Sequence, residues 1–135
     1  MIKARGLTKF YGEVRAIYDL TFDVAEGEIL GVLGLNGAGK STLLQILSGA
    51  LNPTSGKVAI AGLDAAENPS EVRRRIGFLP EEPPLYREMT VEGYLRFVGR
   101  LKGMSSGAVD RRLDGVCRST AIEAVRHNVI ATLSH

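Results

Sequence analysis

The sequence has 135 residues, the length of one ordinary domain. Its hydrophobic content of 44% and charged content of 24% are typical of a soluble globular protein, and its net charge of +2 gives no electrostatic case for nucleic acid as a main partner. Cys117 is the single cysteine, so an internal disulfide is excluded, which fits a reducing compartment. The N-terminus is polar by Lys3, which argues against a signal peptide, and the apolar stretch at residues 29–35 is too short to span a membrane.

The first part of the chain has the pattern of strands followed by a helix. A first strand is predicted at residues 2–7, before a turn at Gly12. A second strand is predicted from period-two alternation, which should put its apolar residues on one face: Ala16, Tyr18, Leu20, Phe22 and Val24. Residues 28–34 are apolar on both faces, as in a strand that is covered from both sides. A helix is predicted at residues 40–48, with Gly49 past its end.

Further along, strands are predicted at residues 57–61 and 76–79. Between them, Asn68 is a candidate cap for a short helix with Pro69 in its first position. Residues 81–89 contain prolines and several charges and predict a loop. Beyond this loop only helices are predicted, so an α/β portion at residues 1–80 is followed by a helical portion at residues 81–135.

The two later helices have clear signals. Thr90 is a candidate cap for the first of them, which Gly103 ends. A second helix is predicted from the spacing of Val109, Leu113 and Val116. Cys117 on this helix is interpreted as a small buried residue. Arg73 to Arg75 form a charge run without interleaved aromatic residues, which favours a solvated helix face over a nucleic-acid patch.

One segment carries a specific chemical signal, the spacing G-x-x-x-x-G-K-S/T at residues 34–41. We call residues 34–42 the phosphate loop; its members are Gly34, Leu35, Asn36, Gly37, Ala38, Gly39, Lys40, Ser41 and Thr42. Its glycines allow backbone N–H groups to point at phosphate oxygens, and the helix that follows adds the positive end of its dipole. Lys40 is expected to reach the β- and γ-phosphates, and Ser41 to ligate the bridging Mg²⁺.

The alternative is a glycine-rich turn with a surface lysine. Two features of the context favour phosphate binding. The motif follows an apolar segment and opens an amphipathic helix, which is the arrangement that the chemistry requires.

The residues around this loop resemble the opening of ATP-binding cassette (ABC) domains. The resemblance lies in residues 7–12, 27–29, 34–42 and 52–56, and in residues 76–81, which are similar to the family's Q-loop. It covers almost the whole chain in the family's order and spacing. It implies an α/β fold with a P-loop NTPase-type core, an N-terminal antiparallel β portion and a partial α-helical subdomain, the whole incomplete.

Two further site residues follow from this resemblance. Tyr11 is implied as the aromatic residue that stacks on the adenine ring, and the alternative is a core aromatic residue at a strand end. Glu81 stands where the family usually has glutamine, a residue that touches magnesium and the attacking water. A carboxylate still ligates Mg²⁺, so Lys40 and Glu81 are the catalytic candidates, and Ser41 and Glu81 the metal candidates. The alternative for Glu81 is a solvated acidic loop.

Other family motifs are not present. Leu133, Ser134 and His135 look like the first residues of the family's signature, and the later strand ending in Asp-Glu and the switch histidine do not follow. The chain is therefore expected to be a fragment or a truncated gene product that lacks central strands of the sheet. On its own it is expected to bind ATP and to hydrolyse it poorly.

The leading hypothesis is the ATP-binding subunit of a membrane exporter, since residues 79–86 resemble a branch of bacterial ABC-2-type exporters. Its implied partners are a membrane-spanning permease and a second ATP-binding subunit in a head-to-tail dimer. The implied location is cytoplasmic, on the inner face of the cell membrane. Two alternatives stay open: a soluble ABC-family protein without a transport role, and a non-catalytic nucleotide-binding remnant.

Overall fold

The computed structural model describes residues 1–133. The chain divides into two compact units, Met1–Phe78 and Leu79–His135. Ser134 and His135, which the sequence suggested as the start of a signature, lie outside the described residues.

The first unit is built on an antiparallel sheet of four strands in the order β2-β1-β3-β4. The strands are β1 (Ile2–Tyr11), β2 (Val14–Val24), β3 (Ser55–Ile60) and β4 (Leu63–Asp64). Strand β1 lies between β2 and β3, and its Ala4 pairs with Phe22 on one side and with Val58 on the other. The antiparallel portion implied by the family resemblance is therefore present.

Helix α1 (Lys40–Leu47) buries Leu43 and Ile46 against this sheet. The helix ends one residue before its predicted boundary. A short helix, α2 (Pro69–Arg74), buries Val72 in the same core. The buried residues of this core are Ala4, Leu7, Ile17, Leu43, Ile46, Val58, Ile60 and Val72.

The predicted alternation along β2 is wrong in its first half. Ile17 is buried, whereas Tyr18, which was expected on the same face as Leu20, is 65% exposed. The cause is Asp19, whose positive φ of 47° interrupts the pleat and shifts the side-chain phase by one residue, as a β-bulge does. From Leu20 onward the alternation holds, with Phe22 and Val24 directed inward.

The predicted strands at residues 28–34 and 76–79 are also wrong for this structure. Both segments run outside the sheet, and no strand lies beside either of them within residues 1–133. Ile29 and Leu33 are 97% and 95% exposed as a result. A segment that is apolar on both faces forms a strand only when neighbouring strands pair with its backbone and cover it.

The short helix starts at Pro69 as predicted, but the side-chain cap predicted at Asn68 is not formed. No side chain accepts a hydrogen bond at this cap, and the Asn68 amide instead donates to the Asp64 backbone oxygen. The Asp64 carboxylate accepts from the N–H groups of Ala66 and Glu67, so the turn before α2 is already organised by Asp64.

The second unit consists of helices α3 (Val91–Leu101) and α4 (Ser106–Ser119) with two short 3₁₀ turns at Glu123–Val125 and Ile130–Thr132. Thr90 caps α3 as predicted, since its hydroxyl accepts from the Gly93 N–H at 3.1 Å. Cys117 is fully buried on α4. No helix within the described residues is both long and apolar enough to cross a membrane.

An ion-pair network joins the start of α3 to the segment after α4. The Glu92 carboxylate binds Arg96 at 2.8 Å and Arg126 at 2.9 Å, and Arg126 also reaches Asp114 at 3.0 Å. Hydrogen bonds from Arg96 and then Arg126 hold the pKa of Glu92 below its ordinary value. Backbone bonds from Val91 and Glu92 to the carbonyls of Asn128 and Arg126 fix the same junction.

Candidate functional site: the phosphate loop

The phosphate loop follows the exposed apolar segment at residues 28–34 and leads into the first turn of α1. A tight turn at Asn36 and Gly37 is closed by the Ala38 N–H, which donates to the Leu35 carbonyl at 3.1 Å. Gly37 has a φ of 82°, and no atom lies within 4 Å of the place where a side chain would start. The loop is therefore open on this side, and a ligand atom can approach its backbone closely.

Gly39 has a different role, because it seats the loop against strand β2. Its φ of 86° is left-handed, and a Cβ at this position would lie 2.2 Å from the Ala16 carbonyl oxygen. Only glycine fits such a close approach between two backbones. The sequence predicted Ala16 only as a strand residue. In the structure its backbone carbonyl packs against Gly39 and fixes the position of the end of the loop.

Lys40 bends back over the loop that precedes it. Its ammonium donates to the carbonyl oxygens of Gly34 and Leu35, at 2.8 Å in both cases. These bonds hold a positive charge above the loop. An anion seated on the loop would meet this charge directly.

The first turn of α1 has backbone donors that no side chain caps among the residues the structure describes. Gly39 occupies the cap position, and no side chain accepts a hydrogen bond there. The N–H groups at the start of the helix are therefore not taken by a cap, and the turn carries no acidic residue that would repel an anion. Ser41 is exposed and Thr42 is half-buried in this turn.

Tyr11 ends β1 and lies beside this turn. Its hydroxyl oxygen is 3.5 Å from the Thr42 hydroxyl oxygen, and the residue is 48% exposed. The ring is therefore not enclosed in the core. Its role in stacking on a nucleotide base stays a prediction.

Lys9 is a neighbour that the sequence analysis missed. Its ammonium lies 5.5 Å from the centroid of the Tyr11 ring, within the range of a cation–π interaction. Sequence spacing carried a weak signal for this contact, since residues two apart on a strand share one face.

Glu81 belongs to the second unit and lies on the exposed loop before α3. It lines a cleft of about 590 Å³, whose other lining residues are Glu82, Pro83, Leu85, Arg87, Ile130 and Leu133. Within residues 1–133 no group of three or more His, Cys, Asp or Glu side chains is arranged to hold a metal. The magnesium roles of Ser41 and Glu81 stay predictions.

Comparison with known proteins places this chain in one family. The model of the ABC transporter family matches residues 17–135. An uncharacterized ABC transporter ATP-binding protein of Methanocaldococcus jannaschii is 38% identical over 133 residues, which are 98% of this chain and 46% of that protein. A probable multidrug ABC transporter ATP-binding protein of Escherichia coli is 34% identical over 125 residues, covering 93% of this chain and 22% of the relative.

A solved structure gives the same result for the fold. A dimeric ATP-binding cassette in a post-hydrolysis state, bound to ADP and Pi, superposes with a TM-score of 0.84 at 26% identity, over 99% of this chain and 63% of that one. This chain spans about half the length of the M. jannaschii relative. It has part of a P-loop NTPase fold and belongs to the ABC transporter family.

Proposed function

We propose that this chain is the ATP-binding portion of the ATPase subunit of an ABC exporter, and that residues 34–42 hold the triphosphate of ATP. The observation that carries the proposal is the arrangement of Lys40. Its ammonium lies 2.8 Å from each of two carbonyl oxygens of the loop. Lys40 is also the first residue of α1, whose first N–H groups have no side-chain cap. An ammonium and the uncapped N–H groups of a helix start thus lie in one short segment, and both are donors suited to phosphate oxygens.

The residues present fit the nucleotide and its metal. Gly37 leaves the loop backbone accessible, and Ser41 presents a hydroxyl in the first turn of α1. Hydroxyl and carboxylate oxygens are the donors that Mg²⁺ prefers, so we assign Ser41 as a protein ligand of the metal, and Glu81 stays the second candidate that the sequence predicts. When bound, Mg²⁺ would neutralise negative charge on the phosphates, and the Lys40 ammonium would neutralise part of the same charge.

We assign Tyr11 to the base. Replacing Tyr11 with alanine is expected to weaken ATP binding by about 5- to 150-fold, because stacking on a base is worth about 1–3 kcal/mol. Replacement with tryptophan should cost less, since an aromatic face is kept. Titration of a fluorescent ATP analogue into the three proteins measures this difference. Equal affinities of wild type and Tyr11→Ala would leave Tyr11 without a role in binding.

The proposed partners are a second ATP-binding subunit and a membrane-spanning permease, with the chain on the cytoplasmic face of the membrane. Support comes from the relatives: one is described as a multidrug transporter protein, and one solved cassette is a dimer. Co-purification with detergent-solubilised membranes from the source cells tests the permease. Recovery only in the soluble fraction would favour a family member without a transport role.

We further propose that the 135 residues alone hydrolyse ATP poorly. Glu81 and Glu82 are the paired carboxylates of the sequence, and both are exposed on a loop. A general base must be held within hydrogen-bond reach of the attacking water, and an exposed loop does this poorly. Phosphate release with Mg²⁺ and excess ATP is expected to match the Lys40→Ala blank. Steady turnover well above the blank would contradict this proposal. Its disappearance in Glu81→Gln would then make Glu81 the base.

A further inference from the structure

Lys9 contacts two separate parts of the first unit, the turn at Asn52 and the ring of Tyr11, which is the candidate base-binding residue. Its ammonium donates to the backbone carbonyl of Asn52 at 2.8 Å and at the same time lies 5.5 Å from the centroid of the Tyr11 ring. The residue is half-buried, while its hydrogen bond to Asn52 is exposed to solvent. Lysine side chains on a surface usually move freely. The Lys9 ammonium instead contacts both the Asn52 carbonyl and the Tyr11 ring.

The turn that holds Lys9 is itself fixed to strand β1. The Thr54 N–H donates to the Thr8 carbonyl at 2.8 Å, and the Thr54 hydroxyl accepts from the Phe10 N–H at 3.1 Å. Asn52 is therefore part of a turn that is hydrogen-bonded to the residues on both sides of Lys9. The position of the ammonium is set by this turn as well as by the lysine's own backbone.

The hydroxyl end of the Tyr11 side chain also has a contact within the first unit. Its hydroxyl oxygen lies 3.5 Å from that of Thr42, in the first turn of α1. The ring is thus bounded by Lys9 along its face and by Thr42 at its hydroxyl, while the residue is 48% exposed. These two contacts favour one orientation of the ring before any ligand binds. Such pre-organisation lowers the entropic cost of binding.

We propose that Lys9 is a positioning residue for the nucleotide base: it fixes the Tyr11 ring through a cation–π contact while the Asn52 carbonyl holds the ammonium. This inference rests on the proposed function. It distinguishes Lys9 from Lys40, because Lys9 acts on the base through Tyr11, and Lys40 acts on the phosphates.

The test distinguishes an effect of Lys9 on binding of the base from an effect on binding of the phosphates. Lys9→Gln removes the charge and keeps a donor for the Asn52 carbonyl, and Lys9→Arg keeps the cation. ATP affinity is expected to fall about 2- to 5-fold in Lys9→Gln, since an exposed cation–π contact is worth about 0.5–1 kcal/mol, and to be retained in Lys9→Arg. Binding of inorganic tripolyphosphate, which has no base, should not change in either variant. Its retention also shows that the phosphate loop is folded.

A double-mutant cycle completes the test. In a Tyr11→Leu background, Lys9→Gln is expected to have no further effect on ATP affinity, because the ring on which Lys9 acts is gone. An equal loss of ATP affinity in both backgrounds would overturn the proposal, because Lys9 would then act without Tyr11. A loss of tripolyphosphate binding in Lys9→Gln would also overturn it and make Lys9 a phosphate contact. Unchanged ATP affinity in Lys9→Gln would overturn it as well. If instead Lys40→Ala binds ATP as well as wild type, the proposed function fails, independently of Lys9.

Discussion

Replacing Lys40 with alanine should lower the affinity for ATP about 10- to 150-fold and leave the fold intact. The expected size follows from a hydrogen bond to a charged group, which is worth about 1.5–3 kcal/mol. Lys40 donates to two carbonyl oxygens of its own loop and lies in none of the core contacts. Its removal therefore takes a positive charge from the phosphate site and little packing. Titration with a fluorescent ATP analogue measures the change.

Lys57→Ala is the matched control for this experiment. Lys57 is an exposed lysine on β3, and its replacement changes the net charge of the chain by the same amount. A general electrostatic effect on nucleotide binding would appear in both variants. The phosphate-loop assignment requires the loss to be confined to Lys40→Ala, and equal affinities of the two variants would contradict it.

Gly39→Ala should be the most destabilising single change in the phosphate loop. A Cβ at Gly39 would lie 2.2 Å from the Ala16 carbonyl oxygen, at a φ of 86°. Left-handed backbone costs about 1–2 kcal/mol for a residue with a side chain, and forced overlap costs about 1–3 kcal/mol more. The free energy of unfolding is therefore expected to fall by about 2–5 kcal/mol. Denaturant unfolding followed by circular dichroism measures it.

Gly37→Ala separates the two causes of that loss. Gly37 has nearly the same φ, 82°, but no atom lies within 4 Å of its added Cβ. Only the backbone cost of about 1–2 kcal/mol is expected there. If both variants lose the same stability, the close approach of the loop to β2 does not constrain the fold.

The local elements were largely predictable because their signals are local. Helix α1 follows from the amphipathic pattern after the motif, and α3 from the Thr90 cap. The phase of β2 was not predictable, since an aspartate tolerates a positive φ better than most residues but does not by itself indicate one. The apolar segment at residues 28–34 was predicted as a strand from composition. Strand formation also depends on neighbours, and none lies beside it among residues 1–133.

The candidate site was predictable only where spacing encodes the chemistry. The motif at residues 34–41 specifies the loop and Lys40, because turn, charge and helix start must occur in that order. Ala16 and Lys9 were missed. Their contributions come from a carbonyl against Gly39 and an ammonium near Tyr11, which depend on how distant segments pack.

The most direct test of the central claim is a residue-resolved titration of the isotope-labelled chain with Mg²⁺ and ATP, followed by the chemical shifts of backbone amides. If residues 34–42 hold the triphosphate, the largest changes should fall on the amides from Asn36 to Thr42, with smaller changes at Tyr11 from the base. Tripolyphosphate should reproduce the loop changes and leave Tyr11 nearly unaffected. Saturable ATP binding that leaves the amides of residues 36–42 unmoved would contradict the account.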